Sequence, residues 1–110
     1  MTKHHLLGVI FVLEVLSVPA VAQKKGSHVE SGKAVFGRCS GCHDADTTDR
    51  KGGSGLKGLF KRAKLESTGK PVTAANVLKI INEGHLAMPA YKTTLSSAEK
   101  ADLLAYLKTL

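Results

Sequence analysis

The chain has no tryptophan, and its aromatic residues are three Phe and two Tyr among 110 residues. That 5% share is small for a domain that must close its own core, so a further bulky apolar group is expected in the middle. Cysteine is as scarce, with two copies confined to one cluster. Acidic residues are outnumbered 9 to 16 by Lys and Arg, giving a formal charge of +7. In a cytosolic protein such a charge would suggest nucleic acid, so the compartment has to be settled first. What is present is a 43% hydrophobic composition with mixed surface charge, which excludes a wholly disordered chain and a polytopic membrane protein. The length allows one domain, since a second core could not be built from so few residues.

The start reads Met1-Thr2-Lys3-His4-His5, followed by an apolar run over 6–13 and an ending Pro19-Ala20-Val21-Ala22-Gln23. A basic start, a short apolar stretch and an Ala-x-Ala ending match a secretory leader over 1–22, cleaved after Ala22. The rival reading is a membrane anchor. The apolar stretch up to Val18 contains Glu14 and is too short to span a bilayer, so no stable membrane insertion is expected. Export makes the destination periplasmic, and nucleic acid then drops out as a partner. The domain is residues 23–110, short enough to need a staple such as a disulfide, a metal or a cofactor.

Within it, Ser27 is placed to cap a first helix whose apolar positions include Val29, Val35 and Phe36 and which runs to about Arg38. Residues 40–55 have loop composition, and 56–64 could hold a short helical turn. Gly69, Lys70 and Pro71 mark a turn, after which Thr73 caps a helix carrying Val77, Leu78, Ile80 and Ile81. Gly84 stops that helix. A second loop over 85–95 surrounds Met88-Pro89. The last helix opens with Ser96-x-x-Glu99, a capping box, and repeats Leu103, Leu104, Leu107 and Leu110 beside Tyr106. No run alternates long enough to make a strand, so the expected class is all-α with two long loops.

Both loops hold the unusual residues. Cys39-Ser40-Gly41-Cys42-His43 admits several chemistries. A zinc site needs a second pair of ligands at similar spacing, and His28 and His85 are isolated. A dithiol oxidoreductase needs the pair between a strand and a helix of a βαβ unit, and no such unit is visible. A plain disulfide leaves the adjacent histidine unexplained. Covalent haem attachment explains all three residues: two thiols form thioethers to vinyl groups, and the next side chain offers an imidazole to the iron. Attachment of this kind belongs on the oxidising side of a membrane, in keeping with the leader. The second iron ligand is sought in Gly84-His85-Leu86-Ala87-Met88-Pro89. Met88 is the one methionine besides the initiator, sits in a loop where helix-face packing is not its role, and supplies a soft neutral thioether. His85 is its rival, and His28 is expected merely to be exposed.

In this order of motifs the chain resembles the class I, monohaem c-type cytochromes over essentially all of 23–110. Gly32 and Phe36 resemble the family's contact between first and last helices, Leu56-Lys57-Gly58-Leu59-Phe60 its loop on the histidine side, and Leu103, Tyr106 and Leu107 its terminal helix. The resemblance implies three to four helices wrapped around one haem c. It makes Cys39 and Cys42 the covalent attachment residues, and His43 and Met88 the axial ligands of the iron. It also implies a monomeric electron carrier rather than an enzyme. Where the family has Gly-Pro-x-Leu this chain reads Gly53-Ser54-Gly55-Leu56, so the carbonyl expected to accept from the proximal imidazole belongs to Ser54 and the loop loses a fixed φ. Lys57, Lys61, Arg62, Lys64 and Lys92 lie in the loops expected around the haem, which suits acidic redox-protein partners, a reductase or an oxidase, docking near its edge. Arg62 is a candidate to neutralise a propionate. Two other functions stay open: a small peroxidase-like or ligand-binding haem protein in which Met88 detaches, and a dithiol oxidoreductase.

Overall fold

A computed structural model of the chain describes residues 8–12 and 25–110. The leader expected over 1–22 lies outside the described residues except for 8–12, whose Val9, Ile10, Phe11 and Val12 are all exposed. Three helices carry the domain: α1 (Lys25–Phe36), α2 (Ala74–Glu83) and α3 (Ser97–Leu107), with a short 3-10 turn at Leu59–Lys61. Among the described residues there is no strand, only isolated bridges pairing Lys64 with Pro71 and His85 with Met88.

Helix α1 departs from expectation at both ends. Ser27 is not its cap, because helical conformation is already established at Lys25. The helix stops at Phe36 rather than near Arg38: Gly37, Arg38 and Cys39 each donate to the carbonyl three residues back, which tightens the chain into turns. The expected turn over 56–64 shrinks to three residues, entered through Gly58 at φ 69°. Helix α2 is bounded by its own chemistry. The Thr73 hydroxyl accepts from the Asn76 N–H at 3.1 Å, and Gly84, at φ 71°, ends the helix while its N–H donates to the Ile80 carbonyl. The capping box of α3 forms in both directions: Glu99 N–H donates to Ser96 Oγ at 3.1 Å and Ser96 N–H to Glu99 Oε1 at 3.0 Å.

Helix α1 packs chiefly on α3, through residues spaced four apart on α1. At Gly32 a side chain would run into the Asp102 carbonyl and come within 2.8 Å of Tyr106 Cβ, so only glycine lets the two backbones approach so closely. One turn further on, the rings of Phe36 and Tyr106 meet in a tilted pair, with centroids 5.4 Å apart. One turn earlier, His28 Nδ1 lies 2.6 Å from Asp102 Oδ1. His28 was expected simply to be exposed. It is only half-exposed and ties the helix crossing, because the turn of α1 that positions Gly32 also aims position 28 at α3.

The buried core is Phe36, Leu59, Leu65, Val77, Ile81, Leu95, Leu103 and Leu107, with Leu103 the deepest at 1% exposure. All but Leu95 face one cleft. The α1–α3 crossing and α2 therefore enclose a void on one side of the core.

Candidate functional site

That cleft has a volume of about 380 Å³, within the range of small-molecule and cofactor sites. Its walls are mainly apolar, with contributions from α1, α2, α3 and both loops. Cys39, Cys42 and His43 line it from the turns after α1, and Met88 from the loop after α2. Residues more than forty positions apart in sequence are thus brought to one concavity.

The turn over 39–43 is tightly wound. Cys42 N–H and His43 N–H both donate to the Cys39 carbonyl, at 3.1 and 2.9 Å. Neither thiol is bridged; Cys39 is half-buried and Cys42 exposed. Burial pushes the Cys39 thiol above its ordinary value, partly offset by the neighbouring Arg38 guanidinium. The described residues also hold no cluster of three or more metal-binding side chains.

His43 donates its Nδ1 proton to the Ser54 carbonyl at 2.8 Å, so the bond expected of that position survives the absence of proline. With Nδ1 engaged, Nε2 is the nitrogen left to offer a lone pair. Two glycines make room for the arrangement. A Cβ at Gly53 would overlap the His43 ring, and one at Gly52 would lie 3.0 Å from Cys42 Sγ.

Met88 is presented by a tight return of the chain. His85 N–H donates to the Met88 carbonyl at 3.1 Å and Met88 N–H to the His85 carbonyl at 2.9 Å, leaving Leu86 and Ala87 at the exposed tip. The turn fits because Gly84 has no side chain: a Cβ there would lie 2.5 Å from the Met88 carbonyl oxygen. Both candidates for the second ligand, Met88 and His85, line the cleft, and Met88 also packs against the buried core.

Of the five basic residues expected around the site, Arg62 alone lines the cleft. Its Nη2 donates to the carbonyls of Gly55 and Lys57, each at 2.7 Å, which pins the guanidinium at the wall. Two arginines that sequence reasoning passed over, Arg38 and Arg50, line it as well. Arg38 donates to the Thr94 carbonyl at 3.3 Å, and Arg50 pairs with Glu66 at 3.0 Å. Their loop positions gave no local signal; only the folding of 44–70 around the cleft brings Arg50 there.

An apolar cleft with two thiols, an oriented imidazole and a thioether at its walls, and glycines where side chains would obstruct, fits a covalently attached haem. Residues 27–107 match the family described as cytochrome C oxidase, cbb3-type, subunit III. The chain is also similar to cytochrome c6 of Synechocystis sp., 38% identical over 82 residues, an alignment covering 69% of this chain and 60% of the relative. The chain therefore spans less than two thirds of the length of that curated relative. No solved structure matches it significantly. The all-α architecture and the family match agree, and the chain belongs to the c-type cytochrome domains of the cbb3-type oxidase subunit III family, with haem c as its covalent cofactor.

Proposed function

We propose that this protein is a soluble, exported electron carrier, with residues 1–22 a cleaved leader and 23–110 a monomeric cytochrome domain in the periplasm. Cys39 and Cys42 would hold haem c through thioether bonds, and His43 and Met88 would ligate its iron. The observation that carries the reading is the convergence of these four residues, from two separate loops, on one apolar cleft. When bound, haem c supplies a one-electron ferric–ferrous couple. With His43 and Met88 both engaged, no coordination position is left for a substrate, which favours outer-sphere electron transfer over catalysis.

The surrounding residues support that task. Ser54 fixes the tautomer and orientation of His43 through its carbonyl. Leu59, Val77, Ile81 and Leu103 keep water from the interior of the cleft. Arg62, held in place by two carbonyls, offers its remaining N–H groups to a carboxylate at the wall. Arg38 adds positive charge beside Arg62, while Arg50 is balanced by Glu66, and a positive rim speeds encounter with acidic redox partners. The exposed apolar side chains of 9–12 bury nothing in the domain, in keeping with a leader removed from it. Among the described residues no helix is long and apolar enough to cross a membrane.

The test is addition of carbon monoxide to the ferrous holoprotein. An electron carrier with Met88 engaged leaves the spectrum unchanged, whereas rapid binding would establish the ligand-binding alternative in which Met88 detaches.

A further inference from the structure

The attachment turn is gripped from outside by one short stretch of chain, residues 51–54. Lys51 Nζ donates to the Ser40 carbonyl at 2.8 Å. Gly53 N–H donates to the Cys42 carbonyl at 2.7 Å, and the Ser54 carbonyl accepts from His43 Nδ1 at 2.8 Å. Positions 40, 42 and 43 are thus held in order by 51, 53 and 54, as a strap laid along the turn. The strap also closes on itself, since Lys51 N–H donates to the Gly53 carbonyl at 3.0 Å.

Little in the strap's own backbone makes it rigid. A Cβ at position 53 would overlap the His43 ring and one at position 52 would press on Cys42, and two adjacent glycines leave the unbound chain maximally free. Position 54 is serine where the family it resembles carries proline, so no ring fixes φ there. The outer end is held by a side chain, the Lys51 ammonium. Asp44 Oδ1 lies 3.3 Å from the same ammonium. An exposed ion pair contributes little by itself, but a charge-assisted hydrogen bond to a carbonyl is shorter and stronger than a neutral one.

We infer that Lys51 is a positioning residue for His43: by tying the strap to the Ser40 carbonyl, it keeps the Ser54 carbonyl in line with the imidazole Nδ1–H, in place of the rigidity a proline would give. The inference rests on the reading of His43 as an axial ligand. It assigns Lys51 no contact with cofactor or partner.

The experiment follows solvent exchange of the His43 ring Nδ1 proton by NMR in the ferrous holoprotein, with the backbone amide of Leu103 as reporter of global opening. Lys51→Met accelerates ring-proton exchange by about tenfold, the equivalent of one ordinary hydrogen bond, while the Leu103 amide moves far less. Adding Ser54→Pro to Lys51→Met brings the ring proton back toward its original rate. The proposal is overturned if Lys51→Met changes the ring proton no more than the Leu103 amide, for the lysine is then merely structural. It is equally overturned if the double variant exchanges as fast as Lys51→Met. The ligation reading has its own signature in the same spectra: without ring-current-shifted carbon-bound protons of His43, that reading fails whatever the exchange rates show.

Discussion

The Nδ1 proton of His43 is donated to the carbonyl of Ser54, at 2.8 Å. The interaction depends on a backbone oxygen, so it tolerates serine at a position where the resembled family has proline. None of the hydrogen bonds among the described residues uses the Ser54 N–H, so proline would remove no donor in use. Ser54→Pro therefore raises the stability of the holoprotein by about 0.4–1 kcal/mol through reduced freedom of the unfolded chain. Thermal unfolding checks it, and an unchanged or lower midpoint sinks the idea.

The helix crossing makes the opposite demand. At Gly32 any side chain meets the Asp102 carbonyl, and backbone cannot rotate out of the way as a side-chain tip can. Gly32→Ala gains helix propensity yet loses about 1–3 kcal/mol overall to overpacking. The expected result is an unfolding midpoint several degrees lower; a midpoint equal to the parent's contradicts the close approach of α1 and α3.

Leu86 has φ 51° and is 93% exposed, so it carries backbone strain with no burial to offset it. Leu86→Gly relieves that strain and stabilises the holoprotein by about 0.5–1 kcal/mol, the left-handed penalty less the entropy of glycine. Leu86→Ala, which keeps a Cβ, brings no such gain. Equal midpoints for the two variants would show that the loop is not strained there.

The capping box of α3 gives a pH dependence whose sign can be worked out. Hydrogen bonds from Ser96, chiefly its backbone N–H, hold the Glu99 carboxyl below the usual carboxylate range. A depressed folded value means that the contribution is present above the unfolded value of about 4.3 and is lost as pH falls through the folded value. The stability difference between the parent and Glu99→Ala is therefore full near neutrality and shrinks on acidification below about pH 4. Unfolding followed at several pH values tests it; a difference that is constant or grows toward acid contradicts the box.

What could be read in advance divides by range of interaction. Thr73, Gly84 and the Ser96–Glu99 pair announce helix boundaries because a cap is local chemistry, complete within four residues. That Cys39, Cys42, His43 and Met88 share one site was legible for a similar reason, since scarce residue types placed in loops stand out from core patterning. Ser27 misled because a good cap residue is also compatible with a helix interior once the chain ahead of it is helical. His28 and Asp102 stand 74 positions apart, and their meeting depends on how two helices cross. Arg38 and Arg50 at the cleft, and the left-handed Leu86, likewise follow from tertiary geometry that no local pattern encodes.

The most direct measurement of the central claim is the absorption spectrum of the ferric holoprotein, parent beside Met88→Ala and His85→Ala. The account predicts the weak sulfur-to-iron charge-transfer band in the parent and in His85→Ala, and its loss in Met88→Ala. A band that survives in Met88→Ala, or that is absent from the parent, would contradict ligation by Met88 and with it the closed coordination on which electron carriage rests.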